Sequence, residues 1–314
     1  MPSPMRDSAE VFQLKETLSR RLNLDPDSIC LYQEAGEFLT RLFSSFDSSQ
    51  NQLIAAAPVI PEIAIAADRA EMELVQIESA NPCAAEIDSL KRTILSRGDI
   101  VYLANPNRLT GATFSIKHLR TIAGLVNQGL LIIDEFYHDF SGLSAFQPVK
   151  ECDNVIVLRP FQDWNEGLYT ENGFAIISKS LGNRIDSNNS VISFSRWAAK
   201  KCLEIVNAKV ANESQVKKIQ KRSFEIAIEL AEFGIKSQLL PTDSILLQLP
   251  IPQDVLRYLS ERDVNIEPVG ESEQLKNYLH FQITGKDKDK ALVNALAAMP
   301  ESLKRAPDSR KTMA

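Results

Sequence analysis

The sequence lacks the features that mark several common classes of protein. No apolar run in its 314 residues approaches the length of a membrane span, and residues 1–6 contain no apolar core of a signal peptide. The net charge of -6 leaves no basic excess for general nucleic-acid binding. We therefore expect a cytoplasmic protein that binds neither a membrane nor a nucleic acid.

Cysteine and histidine are scarce, which bears on metal binding and redox chemistry. The cysteines are Cys30, Cys83, Cys152 and Cys202, and the histidines are His118, His138 and His280. Neither set has the spacing of a metal site. Scattered cysteines of this kind are typical of reduced, buried thiols in the cytoplasm. The sequence predicts no metal.

What the sequence does contain is a regular alternation of short apolar runs and amphipathic segments. The chain is 44% hydrophobic and long enough to bury a large core. Predicted strands lie at 29–32, 53–57, 74–77, 100–104, 130–134, 155–158 and 174–177. Strands that alternate with helices predict an α/β fold with a mostly parallel, seven-stranded sheet covered by helices on both faces.

The pattern changes near residue 196, where a long helical segment begins. Strict alternation of apolar and polar residues at 277–283 then predicts a half-buried strand of a smaller α+β domain. We predict a large domain over 27–195 and a small C-terminal domain over 196–303. Residues 1–26 hold a helix behind a short N-terminal arm, and residues 304–314 form a frayed polar tail.

The stretch 130–137 is the one around which the rest of the chain is organised. A buried strand ends there in Asp134, Glu135 and Tyr137, and the turn-rich loop 105–111 follows the preceding strand of the sheet. Polar groups at the carboxyl ends of parallel strands face the crevice where α/β proteins bind ligands. A structural interpretation also stands, in which Asp134 caps the next helix and Tyr137 packs.

The loop and the strand end together resemble the class I/II pyridoxal-phosphate-dependent aminotransferases, and most closely the histidinol-phosphate aminotransferase and threonine-phosphate decarboxylase branch. The matching residues are Asn105, Pro106, Asn107, Thr110 and Gly111 of an N-P-x-N-P-T-G-like loop and Asp134, Glu135 and Tyr137 of a D-E-x-Y strand end. The resemblance implies that Asn105 and Tyr137 hydrogen-bond the ring oxygen of the cofactor. It also implies that Asp134 pairs with the pyridinium nitrogen and that Ala35 lies in a turn that cradles the phosphate.

Several positions depart from the pattern of the resembled family. Asp163 stands where the family has the lysine that forms an imine with the cofactor, and a carboxylate cannot form that bond. Glu171 replaces the arginine that binds the phosphate, Glu34 replaces a glycine of the phosphate-cradling turn, and His280 occupies the position of the substrate-carboxylate arginine. Like charges at about 4 Å repel by roughly 4 kcal/mol at an effective dielectric of 20. We therefore expect Glu34, Asp163 and Glu171 to form a charge-inverted pocket.

Three hypotheses for function follow. In the first, the chain is a pseudoenzyme that has lost transamination, binds no cofactor and acts as a partner subunit. In the second, it is a working pyridoxal-phosphate-dependent aminotransferase or decarboxylase whose lysine is misplaced in this comparison by a local insertion. Lys179, beyond the next strand, is a candidate, but its position is more typical of a solvated surface lysine. In the third, its acidic crevice binds a cationic small molecule. The resemblance also implies a homodimer, or a heterodimer with a related aminotransferase.

Overall fold

The protein is described here by a computed structural model, which covers most of the chain. The described residues are 8–81, 84–94, 98–126, 129–145, 152–164, 168–178, 181–182, 194–250, 252–264, 266–270 and 275–304. Lys179 and residues 305–314 of the predicted tail lie outside them.

A seven-stranded sheet forms the larger part of the described structure. Its strands are β1 (Ile29–Tyr32), β2 (Leu53–Ala56), β3 (Leu74–Ile77), β4 (Ile100–Ala104), β5 (Leu130–Asp134), β6 (Val155–Asp163) and β7 (Leu168–Ile176). They lie in the order β1-β7-β6-β5-β4-β2-β3. The strands from β6 to β3 pair in parallel, whereas β7 is antiparallel to both β6 and β1. The predicted α/β fold with a mostly parallel sheet is confirmed.

The helices of this part cover the two faces of the sheet. They are α1 (Ala9–Leu22), α2 (Ala35–Phe43), α3 (Pro61–Arg69), α4 (Ile87–Thr93), α5 (Ile116–Leu125), α6 (His138–Ser141) and α7 (Arg196–Asn207). Along β5, Leu131 and Ile133 pack with residues of α1, α5 and α7, while Leu130 and Ile132 pack with residues of α2 and α3. Each strand residue thus meets one helical layer or the other, which explains why the run is apolar throughout.

The smaller part is built on a four-stranded antiparallel sheet in the order β10-β11-β9-β8. Its elements are α8 (Lys209–Glu232), β8 (Lys236–Leu239), β9 (Ser244–Gln248), α9 (Pro252–Ser260), β10 (Glu267–Pro268), β11 (Tyr278–Gln282), α10 (Lys286–Ala297) and α11 (Glu301–Lys304). Leu279 and Phe281 of β11 are buried in its core, as their alternation predicts. The domain boundary at residue 195 stays a prediction. No described helix is long and apolar enough to span a membrane.

The hairpin of β6 and β7 is longer than the sequence predicts. The expected strands stop at residue 158 and resume at 174, whereas the ladder continues to the pair Asp163 and Leu168, with a register shift between Pro160 and Gln162. Gly173 lies in this hairpin beneath the ring of Tyr32, and a Cβ atom at Gly173 would collide with that ring. The segment that contains Asp163 is therefore held in the sheet by its pairing with β7.

A buried ion pair fixes the chain that follows β5. Glu135 is fully buried, and one of its carboxylate oxygens lies 2.7 Å from Nη2 of Arg159 on β6. Its other oxygen accepts a hydrogen bond from the backbone of Ala145, and Nη2 of Arg159 donates to Ser144 Oγ at 2.6 Å. The pair thus ties β6 and residues 144–145 to the end of β5.

Removing one partner of this pair should strongly destabilise the protein. We expect Glu135→Gln to lower the free energy of unfolding by about 3–5 kcal/mol, because it leaves the Arg159 guanidinium buried without a countercharge. Urea unfolding followed by circular dichroism measures the change. The matched control is Glu37→Gln, which breaks the partly exposed pair with Arg41 and should cost at most about 1 kcal/mol. Equal losses for the two variants would contradict a structural role for Glu135.

Candidate functional site

The candidate site lies at the carboxyl ends of the central parallel strands. Ala104 at the end of β4 is the direct neighbour of Asp134 at the end of β5. The loop 105–111 and the turn at 135–137 therefore leave the sheet side by side. This is the edge at which open α/β sheets bind ligands, because the diverging connections leave a crevice there.

Asp134 is a buried carboxylate with hydrogen bonds to both oxygens. The residue is 5% exposed, and Oδ1 accepts from the backbone N–H of Phe136 at 3.0 Å. Oδ2 accepts from the hydroxyl of Tyr102 at 2.6 Å and from Nη2 of Arg108 at 3.2 Å. A buried charge is tolerated only when it is paired and hydrogen-bonded, and Arg108 is the cation that compensates this one.

The guanidinium of Arg108 also stacks on an aromatic ring. Its Cζ lies 3.8 Å from the centroid of the Phe136 ring, within the range of a cation–π contact. Nearby Asp134 raises the pKa of Arg108 against the opposing effect of burial. Burial and the charge of Asp134 together raise the pKa of Tyr102 well above its usual value. Arg108 is therefore charged and Tyr102 neutral at ordinary pH.

The loop that carries Arg108 is pinned by two asparagines. Asn105 Oδ1 accepts from Phe114 N at 2.7 Å, and its Nδ2 donates to the Phe114 carbonyl at 3.3 Å. Asn107 Oδ1 accepts from the backbone of Leu109 and Thr110 at 3.0 and 3.1 Å. Both side chains thus serve the loop backbone, and Asn105 is not among the described residues that line the cleft.

A cleft of about 480 Å³ opens above this loop. The described residues that line it are Tyr32, Glu34, Ala35, Gly36, Leu39, Ile60, Glu62, Ile63, Tyr102, Arg108, Asp134, Phe136, Tyr137, Leu158, Pro160, Thr170, Glu171 and Gln282. This set contains Asp134 at the base, one cation, and three exposed carboxylates at the rim: Glu34, Glu62 and Glu171. No lysine is among these described lining residues.

The structure brings together five of the residues singled out from the sequence, namely Glu34, Ala35, Asp134, Tyr137 and Glu171. The remaining ones lie elsewhere. Asp163 is buried at the end of β6 and is not among the described lining residues. His280 lies on β11, and burial lowers its pKa.

The expected charge-inverted pocket therefore differs from the observed one. Glu34 and Glu171 are exposed, and Glu62, which the sequence did not point to, stands with them at the rim. Exposed charges are screened by water and salt, so their repulsion of an anion is far weaker than that of buried carboxylates. The cleft therefore repels a phosphate group less strongly than the sequence predicts.

Tyr137 belongs to an aromatic cluster at the side of the cleft. Its ring stacks on Trp164 with centroids 5.7 Å apart, and the Phe136 ring meets Trp164 edge-on at 6.4 Å. The indole Nε1 of Trp164 donates to Asp139 Oδ2 at 2.8 Å. The cluster holds the turn after β5 in place, which is the packing role considered for Tyr137.

Sequence reasoning missed the residues that complete the site. The expectations drawn from the sequence assign no role to Arg108, Tyr102 or Tyr32. Tyr102 had a usable signal, because it lies on the same face of β4 as Ala104, the register neighbour of Asp134. The contact of Arg108 with Asp134 had none, since a loop side chain can point in many directions.

Comparison with known proteins identifies relatives over nearly the whole chain. The family model "Aminotransferase class I and II" matches residues 7–289. Histidinol-phosphate aminotransferase 1 of Carboxydothermus hydrogenoformans is 23% identical over 289 residues, which are 90% of this chain and 81% of the relative. The histidinol-phosphate aminotransferase of Christiangramia forsetii is 22% identical over 298 residues, 94% of this chain and 83% of the relative.

Solved structures share the fold. The histidinol-phosphate aminotransferase of Sinorhizobium meliloti, in complex with pyridoxal-5'-phosphate, superposes with a TM-score of 0.81 at 18% identity, covering 92% of this chain and 80% of that chain. The L-threonine-O-3-phosphate decarboxylase of Porphyromonas gingivalis has a TM-score of 0.72 at 15% identity, with 95% and 92% covered.

The expectation that no cofactor is bound is wrong. The Sinorhizobium meliloti enzyme of the same fold holds pyridoxal-5'-phosphate, and the comparisons point to that cofactor rather than to none. The expectation assumed that the carboxylates near the phosphate position repel the phosphate at full strength. Glu34 and Glu171 are in fact exposed at the rim of the cleft, where water and salt screen their charges.

The raised pKa of Tyr102 predicts a loss of stability at high pH. The folded protein holds the Tyr102 proton more tightly than the unfolded chain, so the stabilisation is complete below about pH 10, the unfolded value, and falls above it. The slope is about 1.4 kcal/mol per pH unit. Urea unfolding at about pH 9 and pH 11 should therefore show a smaller alkaline loss for Tyr102→Phe than for the wild type.

The control for this experiment is Tyr258→Phe, which removes a phenol from the smaller part of the protein. Tyr258 hydrogen-bonds the carbonyl of Ala295 and lies outside the cleft lining. If Tyr102→Phe lost as much stability between the two pH values as the wild type, the buried contact with Asp134 would not control the Tyr102 proton.

Proposed function

Because this chain belongs to the aminotransferase class I and II family, we propose that it keeps the ligand-binding cleft of that family without the lysine-dependent transamination reaction. It then acts by binding, either as a pseudoenzyme or as a partner subunit. One observation carries the proposal: no lysine is found among the described residues that line the cleft. An imine to the cofactor requires an amine within bonding reach.

The position of Asp163 supports the same proposal. It ends β6 in register with Leu168 of β7, and only 8% of it is exposed. The hydrogen-bonded hairpin holds the backbone of Asp163 in the sheet. The position therefore differs from that of the family's lysine in two ways: it carries a carboxylate, and its side chain is not part of the cleft lining. Loss of the amine and loss of its access to the cleft both argue against covalent catalysis.

The main alternative is a functional enzyme that uses Lys179. That residue lies outside the described part of the chain, but its neighbour Ser178 is described. Ser178 Oγ donates to the carbonyl of Asp153 at 3.2 Å, just before β6 begins. Because Leu158 and Pro160, further along β6, line the cleft, Asp153 lies toward the opposite edge of the sheet. This geometry favours loss of the imine over its relocation to Lys179.

The cleft fits the ring of pyridoxal phosphate better than it fits a covalent link. Asp134 would hold a protonated ring nitrogen, and Tyr137 would lie beside the ring. The amino end of α2, with Ala35 and Gly36 in the lining, would meet the phosphate through backbone N–H groups. When bound, the cofactor supplies an electron sink. We propose that any cofactor in this cleft is held without a bond to a lysine.

Chemical trapping tests the proposal. The purified protein is incubated with one equivalent of pyridoxal phosphate and reduced with borohydride, which fixes any imine to a lysine permanently. Intact mass and peptide mapping should then show no stoichiometric adduct, because no described cleft residue carries an amine. Equilibrium dialysis without reduction should still show saturable binding.

Two controls define the outcome. The first uses 4-deoxypyridoxine 5'-phosphate as a competitor, which has no aldehyde and separates cleft binding from labelling of surface lysines. The second is Lys179→Ala. A single stoichiometric adduct that the competitor abolishes would contradict the proposal, and its loss in Lys179→Ala would identify the relocated amine.

We also propose that the protein forms a dimer, either with itself or with a related aminotransferase. Support comes from the family membership and from the open rim of the cleft at the start of α3, where Ile60 and Glu62 line the cavity and Ile65 is 49% exposed. For a homodimer, sedimentation velocity should give twice the mass of the 35.0 kDa chain. For a heterodimer, it should give the mass of one chain until a related chain is added. A strict monomer under both conditions would contradict this proposal.

A further inference from the structure

We propose that Arg108 is an autoinhibitory residue: its guanidinium occupies the cation-binding side of Asp134 and must rotate away before a ligand with a protonated ring nitrogen binds there. The inference rests on the proposed function, in which the cleft binds a small molecule, and it identifies what regulates that binding. It also names the ligand class, a planar heterocycle that brings its own positive charge.

The contacts of Asp134 explain why two cations cannot share it. Oδ1 faces the backbone of Phe136, and Oδ2 already accepts from Tyr102 and Arg108. The carboxylate is buried, so one positive charge neutralises it, and a second would be buried without a countercharge. Arg108 and a cationic ligand therefore compete for one position.

The side chain of Arg108 is the mobile part of this arrangement, because its backbone is fixed. Asn107 holds the loop from inside, with its Nδ2 donating to the Pro58 carbonyl at 2.9 Å. On the other side, Leu109 packs against the smaller sheet, and Gly111 approaches Pro241 so closely that a Cβ atom would lie 2.8 Å from its Cδ. The loop cannot retreat, so release of Asp134 requires rotation of the Arg108 side chain.

The hold on the guanidinium is weak enough for such a rotation. Its contact with Asp134 is a single hydrogen bond of 3.2 Å through Nη2, and its Nε has no hydrogen-bond partner among the described residues. About a quarter of the side chain is exposed to the cleft side. A guanidinium that donates only one hydrogen bond to a carboxylate binds it less strongly than one that donates two.

The consequence for binding follows from the population of the open state. If Arg108 covers Asp134 in about nine molecules of ten, the apparent affinity for a competing cationic ligand is reduced about tenfold. Replacing Arg108 by a residue with an unbranched, uncharged side chain that still packs against Phe136 should reverse the roughly tenfold loss of affinity. Arg108→Met makes this change, and Arg108→Gln is a second variant that keeps a polar end.

Tryptophan fluorescence provides the readout. The chain has two tryptophans, and Trp197 is 79% exposed on α7, so Trp197→Phe leaves Trp164 beside Phe136 and Tyr137 as the reporter. The full-length protein in this background is titrated with 4-deoxypyridoxine 5'-phosphate, which has the cationic ring and no aldehyde. Inorganic phosphate is titrated in parallel as the ligand without a ring.

We expect Arg108→Met and Arg108→Gln to bind the deoxypyridoxine probe at least about tenfold more tightly than the parent and inorganic phosphate no more tightly. Arg120→Met, at an exposed position on α5, should match the parent. Adding Asp134→Asn to Arg108→Met should remove the gain, because the neutral amide no longer prefers a cation. Thermal unfolding of each variant checks that it is folded.

The inference is overturned if both Arg108 variants bind the probe no more tightly than the parent, if none binds it, or if the gain persists with Asp134→Asn. The proposed loss of lysine-dependent transamination fails on a different result, the stoichiometric lysine adduct described above. Because the probe cannot form an imine, the two failures are distinguishable.

Discussion

The structure depends on placing a charged carboxylate, Asp134, inside the protein at the end of the central strand. The charge must be compensated locally, because an unpaired carboxylate in the interior costs far more than a hydrogen bond returns. Tyr102, Arg108 and the backbone of Phe136 supply that compensation from the neighbouring strand, the following loop and the next turn. The position of each of these elements is constrained by the same negative charge.

Glu135, the next residue, is also a buried carboxylate that is compensated by an arginine, but on the other side of the strand end. Glu135 points away from the cleft and pairs with Arg159, so two successive carboxylates each hold an arginine from a different segment. The two pairs differ in what they can do. Glu135 is fully enclosed and acts as a fixed tie, whereas Arg108 is partly exposed and borders an open cavity. The two ion pairs thus differ both in burial and in the number and length of their contacts.

Much of the fold was predictable from the sequence because its signals are local. The seven strands of the large sheet lie where short apolar runs predict them. The weak elements were not predictable. β8 reads Lys-Ser-Gln-Leu and has no burial alternation, and the extension of β6 beyond Leu158 depends on pairing with β7, which no local pattern encodes.

The sequence predicts where the site lies in the fold, but it does not predict the side-chain contacts within the site. Asp134 and Tyr137 were located from the strand end, since parallel strands place their carboxyl ends at one edge of the sheet. Asn105, by contrast, uses its side chain on the loop backbone, and Asp163 is withdrawn by the hairpin. Motif spacing gives the order of residues along the chain, but side-chain direction depends on tertiary neighbours that are distant in sequence.

Packing alone accounts for the glycine at position 173. A side chain there would strike the ring of Tyr32, so any larger residue is excluded by steric packing whether or not a cofactor is ever used. Glu171, two residues away, is exposed, so its side chain meets no comparable steric limit. The presence of this glycine therefore says nothing about whether the chain uses a cofactor.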